Sequence, residues 1–251
     1  MKLRLAAPKT LIDINGIAEL SHIAEKDGSI VIGSMTRHDQ LAESAIIRSR
    51  VPLLADAASL IADQQVRNRG TIGGSLVHAD PCADLPTACK ALGADLTAVG
   101  PMGPRSIAVE DFFRDYFTTS LGAGEIVTEI RVPIPPPRSG GSYLKLTKGH
   151  NDFAIVAVAA QLSFSDEFVC GNARVVLGGV ASTPVHATET ERLLTSRKLD
   201  RNLIGEAARK AAEGLNPSTD VRASAEYRIN MMRTLTSRAI ELAVQRTQGR
   251  R

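Results

Sequence analysis

The stretch Ile126-Val127-Thr128-Glu129-Ile130-Arg131-Val132-Pro133-Ile134 runs directly into Pro135-Pro136-Pro137-Arg138-Ser139-Gly140-Gly141. In the first part Ile126, Thr128, Ile130, Val132 and Ile134 recur with a period of two. That is the spacing of a β-strand that buries one face. Three prolines and two glycines then interrupt regular structure, because proline lacks a backbone donor and glycine is too free. This is the densest Pro/Gly cluster in the chain. It divides the sequence into a first unit, residues 1–137, and a second, residues 142–248.

Upstream of that boundary, Leu11 to Ile14 reads as a short strand. Ser29 to Gly33 reads as another, after the turn Lys26-Asp27-Gly28. Thr36 to Ser44 reads as a helix with Thr36 as its cap. Leu53, Leu54, Ala57, Ala58 and Ile61 make the stripe of an amphipathic helix. Pro86 to Leu92 reads as a helix, and Asp95 to Val99 as a strand ending at Gly100-Pro101. Downstream, Tyr143 to Thr147, Ala154 to Phe164 and Asn172 to Gly178 read as strands. Leu203 to Glu213 and Ala223 to Gln245 read as helices, the second with Tyr227, Met231, Leu235 and Leu242 along one stripe. Strands mixed with helices in each half, then helices at the end, make the fold class α+β in two domains.

Composition excludes several classes. With 251 residues, 43% hydrophobic and 23% charged, the chain is an ordinary globular one. The longest apolar run, Ala154 to Leu162, is far short of a membrane span. Met1 to Leu5 is basic but lacks the apolar stretch of a signal peptide, which makes a cytoplasmic location the expectation. Net charge is +3 and aromatics are 4% with no Trp. Cations spread along the chain without stacking residues argue against nucleic-acid binding. Cys82, Cys89 and Cys170 form no C-x-x-C pair, and an odd count reads as free thiols. Three cysteines cannot supply the four thiolates of an ordinary iron–sulfur cluster. The five His are scattered without metal-ligand spacing.

Three segments could carry chemistry. In Thr71-Ile72-Gly73-Gly74-Ser75 the paired glycines let a backbone approach a ligand closely, and successive amides can converge on an anion. Taken alone, a Gly-Gly pair is most often a turn. In His78-Ala79-Asp80-Pro81-Cys82-Ala83-Asp84-Leu85-Pro86, Asp84 can cap a helix or accept from ligand hydroxyls. His78 reads as a packed or surface imidazole, and Cys82 and Cys89 as small buried hydrophobes. In Tyr143 to Phe153, Lys145 and Lys148 near an aromatic suit an electron-rich ring or a solvated strand edge equally. No hydrolase acid pair, catalytic triad, P-loop or dinucleotide fingerprint is present. The residues look like a binder of something phosphorylated.

Five segments in order resemble one family: VRNRGTIGGSLVHADPCADLP (66–86), EIVTEIRVP (125–133), NDFAIVAVA (151–159), ARVVLGGVASTP (173–184) and DVRASAEYR (220–228). The chain is similar over essentially its whole length to FAD-binding medium subunits of the molybdenum hydroxylase, or xanthine dehydrogenase, family. Within it the similarity is greatest to aerobic carbon monoxide dehydrogenase medium subunits. The resemblance implies a vanillyl-alcohol-oxidase-type FAD-binding domain followed by a small α+β C-terminal domain. It implies that Thr71, Ile72, Gly73, Gly74 and Ser75 wrap the FAD diphosphate and that Asp84 bonds the ribityl region. Ile61 and Val127 would pack on the cofactor, Lys145 would lie near the isoalloxazine, and Phe153 beside it. It further implies an oxidoreductase subunit that does not act alone on substrate. Electrons would come from [2Fe–2S] clusters in a small subunit, fed by a molybdopterin cofactor in a large subunit, in a dimer of heterotrimers. They would leave to an external acceptor. Family members carry an opening segment and a first glycine-rich loop before the equivalent of Met1. Without that loop the alternative expectation is a scaffold subunit that no longer binds FAD.

Overall fold

A computed structural model describes residues 8–149, 151–165 and 168–248. Met1 to Leu5, His150, Arg250 and Arg251, which entered the sequence reading, lie outside the described residues. In chain order the first half comprises β1 (Ile23–Lys26), β2 (Ser29–Gly33), α1 (His38–Glu43), α2 (Ala45–Arg50), α3 (Pro52–Ser59), α4 (Gln64–Arg67), α5 (Ile72–His78), α6 (Asp84–Leu92), β3 (Asp95–Gly100), β4 (Gly103–Ala108), α7 (Val109–Phe112), β5 (Phe113–Asp115), β6 (Thr118–Thr119) and β7 (Ile126–Pro133). The second half comprises β8 (Ser139–Leu146), β9 (Val156–Phe164), β10 (Cys170–Gly178), β11 (Val185–His186), α8 (Thr188–Leu194), α9 (Arg201–Arg209) and α10 (Ala225–Gln248). An antiparallel sheet in the order β1-β2-β7-β3-β4 organises the first half, and one in the order β11-β10-β9-β8 the second. The architecture is the α+β one expected.

The second sheet is covered on both faces, and β9 shows why its sequence is a continuous apolar run. Val156, Val158 and Leu162 point into a core shared with α9 and α10. Ala157 and Ala159, on the opposite face by the period of two, join the core of the first half. Large residues fill the space under the long helix, while alanines let α3 and α6 come close on the other side. The two halves therefore share one packed face.

Several expectations change on the structure. Leu11 to Ile14 is not a strand; Leu11 and Ile12 are exposed. The helix expected from Thr36 begins at His38, and the Thr36 hydroxyl donates to the His22 carbonyl instead of capping it. The period of two in β7 fails at its start. Thr97 pairs with Glu129 but Ala98 with Val127, so Thr128 is an extra residue and a β-bulge reverses the phase. Val127 is buried and Ile126 is exposed, while Ile130 and Val132 stay in the core. The Pro/Gly cluster is a break only as far as Arg138; Gly140 and Gly141 lie inside β8. A Cβ on Gly140 would overlap the Ala243 carbonyl oxygen, so this glycine lets α10 lie against the sheet. The buried stripe of α10 is Met232, Leu235, Thr236, Ala239, Ile240 and Ala243, offset from the expected one, and Tyr227 faces solvent.

Candidate functional site

Of the residues expected around a cofactor, Thr71, Gly73, Gly74 and Val127 line one cleft and Lys145 a second. The first, of about 260 Å³, is lined by Ser34, Thr71, Gly73, Gly74, Val77, Leu121, Ile126 and Val127 among others. Thr71 precedes α5 in extended conformation and its hydroxyl accepts from Gly74 N at 3.1 Å, so the segment read as a loop is a capped helix start. Its amides are not an open nest. Ile72 N donates to the Thr36 carbonyl at 3.0 Å, Gly73 N to the Ser34 carbonyl at 2.8 Å, and Ser75 N to the Thr71 carbonyl at 3.0 Å. With Gly74 N on the cap, every amide from Ile72 to Ser75 already has an acceptor. The convergent-amide grip expected from the sequence is replaced by a different surface. Gly74 is exposed and offers a bare face, the Thr71 hydroxyl keeps its own proton to donate, and the buried Ser34 hydroxyl has no protein partner. Ile72 is fully buried and supports the site from the core rather than touching it. Ser75 is half-buried beside it. The bulge at Thr128 turns Val127 inward, and Ile126 beside it lines the same cleft from the exposed side.

The second cleft, of about 400 Å³, is lined by Leu60, Ala62, Asp63, Gln64, Arg67, Lys145, Thr147, Asn151 and Asp152, with others. It lies between the halves: its floor is the turn after α3 and its wall the end of β8. Arg67 builds the floor by donating to the carbonyls of Ile61 at 2.9 Å and Ala62 at 3.0 Å and to Gln64 Oε1 at 3.0 Å. Ala62 sits at φ 39°, a conformation those bonds hold. Ile61 is half-buried against the first core. Lys145 donates to the Leu60 carbonyl at 3.1 Å and to Asp84 Oδ2 at 2.9 Å, with both charged side chains about 5% exposed or less. Tyr143, two residues earlier on the same strand face, donates its hydroxyl to Asp84 Oδ1 at 2.7 Å. Asp84 is the first residue of α6, and Ala83 holds the cap position. Burial pushes the Asp84 carboxyl up; the Lys145 charge and the bonds from Tyr143 and Lys145 oppose that without cancelling it.

Phe153 is about half exposed, next to Asp152 of this cleft, with the Arg222 guanidinium 5.7 Å from its ring centroid. His78 is exposed, its ring 5.2 Å from that of Phe117. Burial pushes the Cys89 thiol up to about 12 and the Cys170 thiol to about 11, as for inert buried thiols. Cys82 is half-buried and also raised, chiefly by burial. Ser34, Arg67 and Tyr143 were not singled out by the sequence as binding residues. Only Tyr143 had a readable signal, its spacing of two from Lys145.

A flavin nucleotide suits this donor set. The unpartnered Ser34 hydroxyl, the bare Gly74 face and the Thr71 proton suit phosphate oxygens. The apolar wall of Val77, Leu121, Ile126 and Val127 suits a hydrophobic ligand surface. Lys145 has a third N–H beyond its two protein acceptors. Among the described residues no group of His, Cys, Asp and Glu could hold a metal ion, and no helix is long and apolar enough to cross a membrane.

Known proteins match along the whole chain. Residues 1–135 match the family model described as the FAD binding domain in molybdopterin dehydrogenase, and residues 141–243 that of the CO dehydrogenase flavoprotein C-terminal domain. The chain is 37% identical over 248 residues to the 6-hydroxypseudooxynicotine dehydrogenase complex subunit alpha of Paenarthrobacter nicotinovorans, covering 99% of this chain and 84% of that one. It is 36% identical over 249 residues to the carbon monoxide dehydrogenase medium chain of Afipia carboxidovorans, covering 99% and 86%. A solved carbon monoxide dehydrogenase from Hydrogenophaga pseudoflava that lacks the Mo-pyranopterin moiety superimposes with a TM-score of 0.94 at 38% identity, over 98% of this chain and 85% of that one. With both halves matched and the fold shared, the chain belongs to the FAD-binding medium-subunit family of molybdopterin-dependent dehydrogenases, the oxidoreductases that include carbon monoxide and xanthine dehydrogenases.

Proposed function

We propose that this chain is the FAD-carrying electron-transfer subunit of a molybdenum hydroxylase complex. It takes electrons from [2Fe–2S] clusters in a small partner subunit, the molybdopterin cofactor being in a large one, and passes them to an external acceptor. It does not turn over the organic or gaseous substrate alone, and the complex is a cytoplasmic dimer of heterotrimers. Residues 1–137 form the FAD-binding unit and 142–248 the unit that closes over it. The observation that carries this reading is the placement of the expected residues. Thr71, Gly73, Gly74 and Val127 share one open cleft, and Lys145 faces another beside Ile61.

When bound, FAD supplies the redox chemistry. The chain supplies position and field. Thr71, Ser75 and Ser34 donate hydroxyl protons to the diphosphate side, where Gly74 permits close approach. Val127 packs on the cofactor in the first cleft, and Ile61 and Phe153 shield the ring side beside Lys145. Lys145 donates an N–H at the seam between the halves, where a partly dry site strengthens the interaction.

The test is to isolate the chain with its natural partners and record the visible spectrum before and after adding the substrate of the complex. Flavin bands that bleach together with the iron–sulfur bands support the proposal. Partner subunits present with no flavin, and none taken up on adding FAD, would instead support a scaffold role. Absence of both partners and flavin would refute the two together.

A further inference from the structure

An ammonium group has three donors. For Lys145 the structure gives two acceptors, Asp84 Oδ2 and the Leu60 carbonyl, and places the residue on the 400 Å³ cleft. One N–H is left for whatever enters. Asp84 is nearly buried and both of its oxygens are engaged, one by Lys145 and one by Tyr143. Tyr143 is itself about 2% exposed. The family resemblance alone gives Asp84 a direct contact with the cofactor; here the carboxylate stands behind the lysine. The groups that act on this cluster come from the two elements that build it and the loop between α5 and α6. Lys145 and Tyr143 face Asp84 from β8, and the Cys82 thiol faces Tyr143. Lys90, on the same helix as Asp84, is turned to Glu110 and the Pro184 carbonyl.

We propose that Asp84 and Tyr143 are positioning residues for Lys145. Asp84 cancels the ammonium charge and, with the Leu60 carbonyl, aims the remaining N–H at the flavin ring. The wall that meets the ring is then a neutral hydrogen-bond donor and not a net cation. Tyr143 holds Asp84 in its charged form by donating to it, against the effect of burial. The inference rests on the reading of this cleft as the flavin site.

Charge cancellation has a signature that a structural role lacks, because the two partners act with opposite sign. Asp84→Asn leaves the lysine charge uncompensated, which favours the electron-rich reduced ring. Lys145→Met leaves the carboxylate uncompensated, which disfavours the reduced ring. Each should change the ratio of reduced to oxidised FAD affinity about tenfold, about 30 mV for a two-electron couple, upward and downward respectively. The double variant removes both charges and should return close to the wild-type potential.

The experiment is spectroelectrochemical titration of bound FAD in the full chain, as isolated with any co-purifying subunits, preceded by an FAD-binding titration. Opposite shifts that cancel in the double variant support the proposal. Shifts of one sign, or a double variant that keeps the full shift of either single variant, overturn it while leaving the flavin site standing. A wild-type chain that takes up no FAD overturns both. Should Asp84→Asn fail to fold, Tyr143→Phe keeps the pair and removes only its support. It should raise the potential in the same direction by less, and more as pH falls; no shift at any pH would overturn the role of Tyr143.

Discussion

Gly73 and Gly74 are adjacent in sequence and should fail in different ways when a methyl group is added. At Gly73 a Cβ would lie 2.6 Å from Ser34 Cβ and 2.7 Å from the Ser34 carbonyl oxygen. That is most of an ångström closer than ordinary van der Waals contact, and one of the obstacles is backbone. The same carbonyl accepts from Gly73 N, so the strand end at Ser34 must move away from its own hydrogen bond. Overpacking of this kind costs about 1–3 kcal/mol, and the better helix propensity of alanine returns only about 1 kcal/mol. Gly73→Ala should therefore lose up to about 2 kcal/mol of stability. At Gly74 the nearest obstacle is the Thr71 hydroxyl at 2.9 Å, the end of a side chain that can turn. Losing that cap costs about 1 kcal/mol, close to the propensity gained, so stability should be unchanged within about 0.5 kcal/mol. The methyl would instead cover the exposed face that FAD is to approach. If it displaces one charge-assisted hydrogen bond, about 1.5–3 kcal/mol is lost, which is about a tenfold to hundredfold weaker affinity. Urea unfolding of both variants, with FAD titration of Gly74→Ala, separates the two effects. A Gly74→Ala chain that binds FAD as tightly as wild type would refute the close approach at this glycine.

His186 joins the halves through Glu191 at 2.7 Å and Glu110 at 3.1 Å. Burial alone would lower its pKa, but the Glu191 and Glu110 carboxylates outweigh that and raise it. A raised folded value stabilises fully below the ordinary value of about 6.5 and is lost as pH rises through the folded one. Wild-type stability should fall over that alkaline limb, and His186→Gln should flatten it; unchanged slopes in urea unfolding from pH 6 upward would contradict the ion pairs. Gly140→Ala should destabilise by about 3 kcal/mol, the upper end for overpacking, because the Ala243 carbonyl leaves no room. Gly171→Ala, whose nearest neighbour would be the Ser163 carbonyl at 3.9 Å, should be close to neutral; equal midpoints for the two would remove the close contact of α10 on β8.

Local patterns carried much of the architecture. The strands Ser29–Gly33, Asp95–Gly100 and the three long ones of the second half follow from period two or from continuous apolar runs. The unread parts are those set by distant contacts. Nothing near Thr128 announces a bulge, because the extra residue is defined by pairing with Thr97 and Ala98, about thirty positions away. Leu11 and Ile12 resemble a strand but are exposed and join no strand pairing among the described residues. Gly140 and Gly141 look like a linker, yet Gly140 is required by α10 a hundred residues later and Gly141 by Gln161 and Leu53. At the site, Thr71, Gly73, Gly74, Val127 and Lys145 were legible and do face clefts. Amide donation was not, since the acceptors at Ser34 and Thr36 come from a segment the glycine motif does not contain. The Asp84–Lys145 pair was equally hidden: both residues were singled out, but only the packing of α6 on the second sheet brings them together.

In the proposed role one ligand, FAD, engages both the glycine segment and the seam at Lys145. Hydrogen–deuterium exchange of the full chain with and without FAD measures this most directly. Slower exchange is expected on FAD addition in two separate stretches, residues 71–78 and 59–67, with the amides around Lys145 slowed as well. No change in either stretch, or protection confined to a surface away from both, would contradict it.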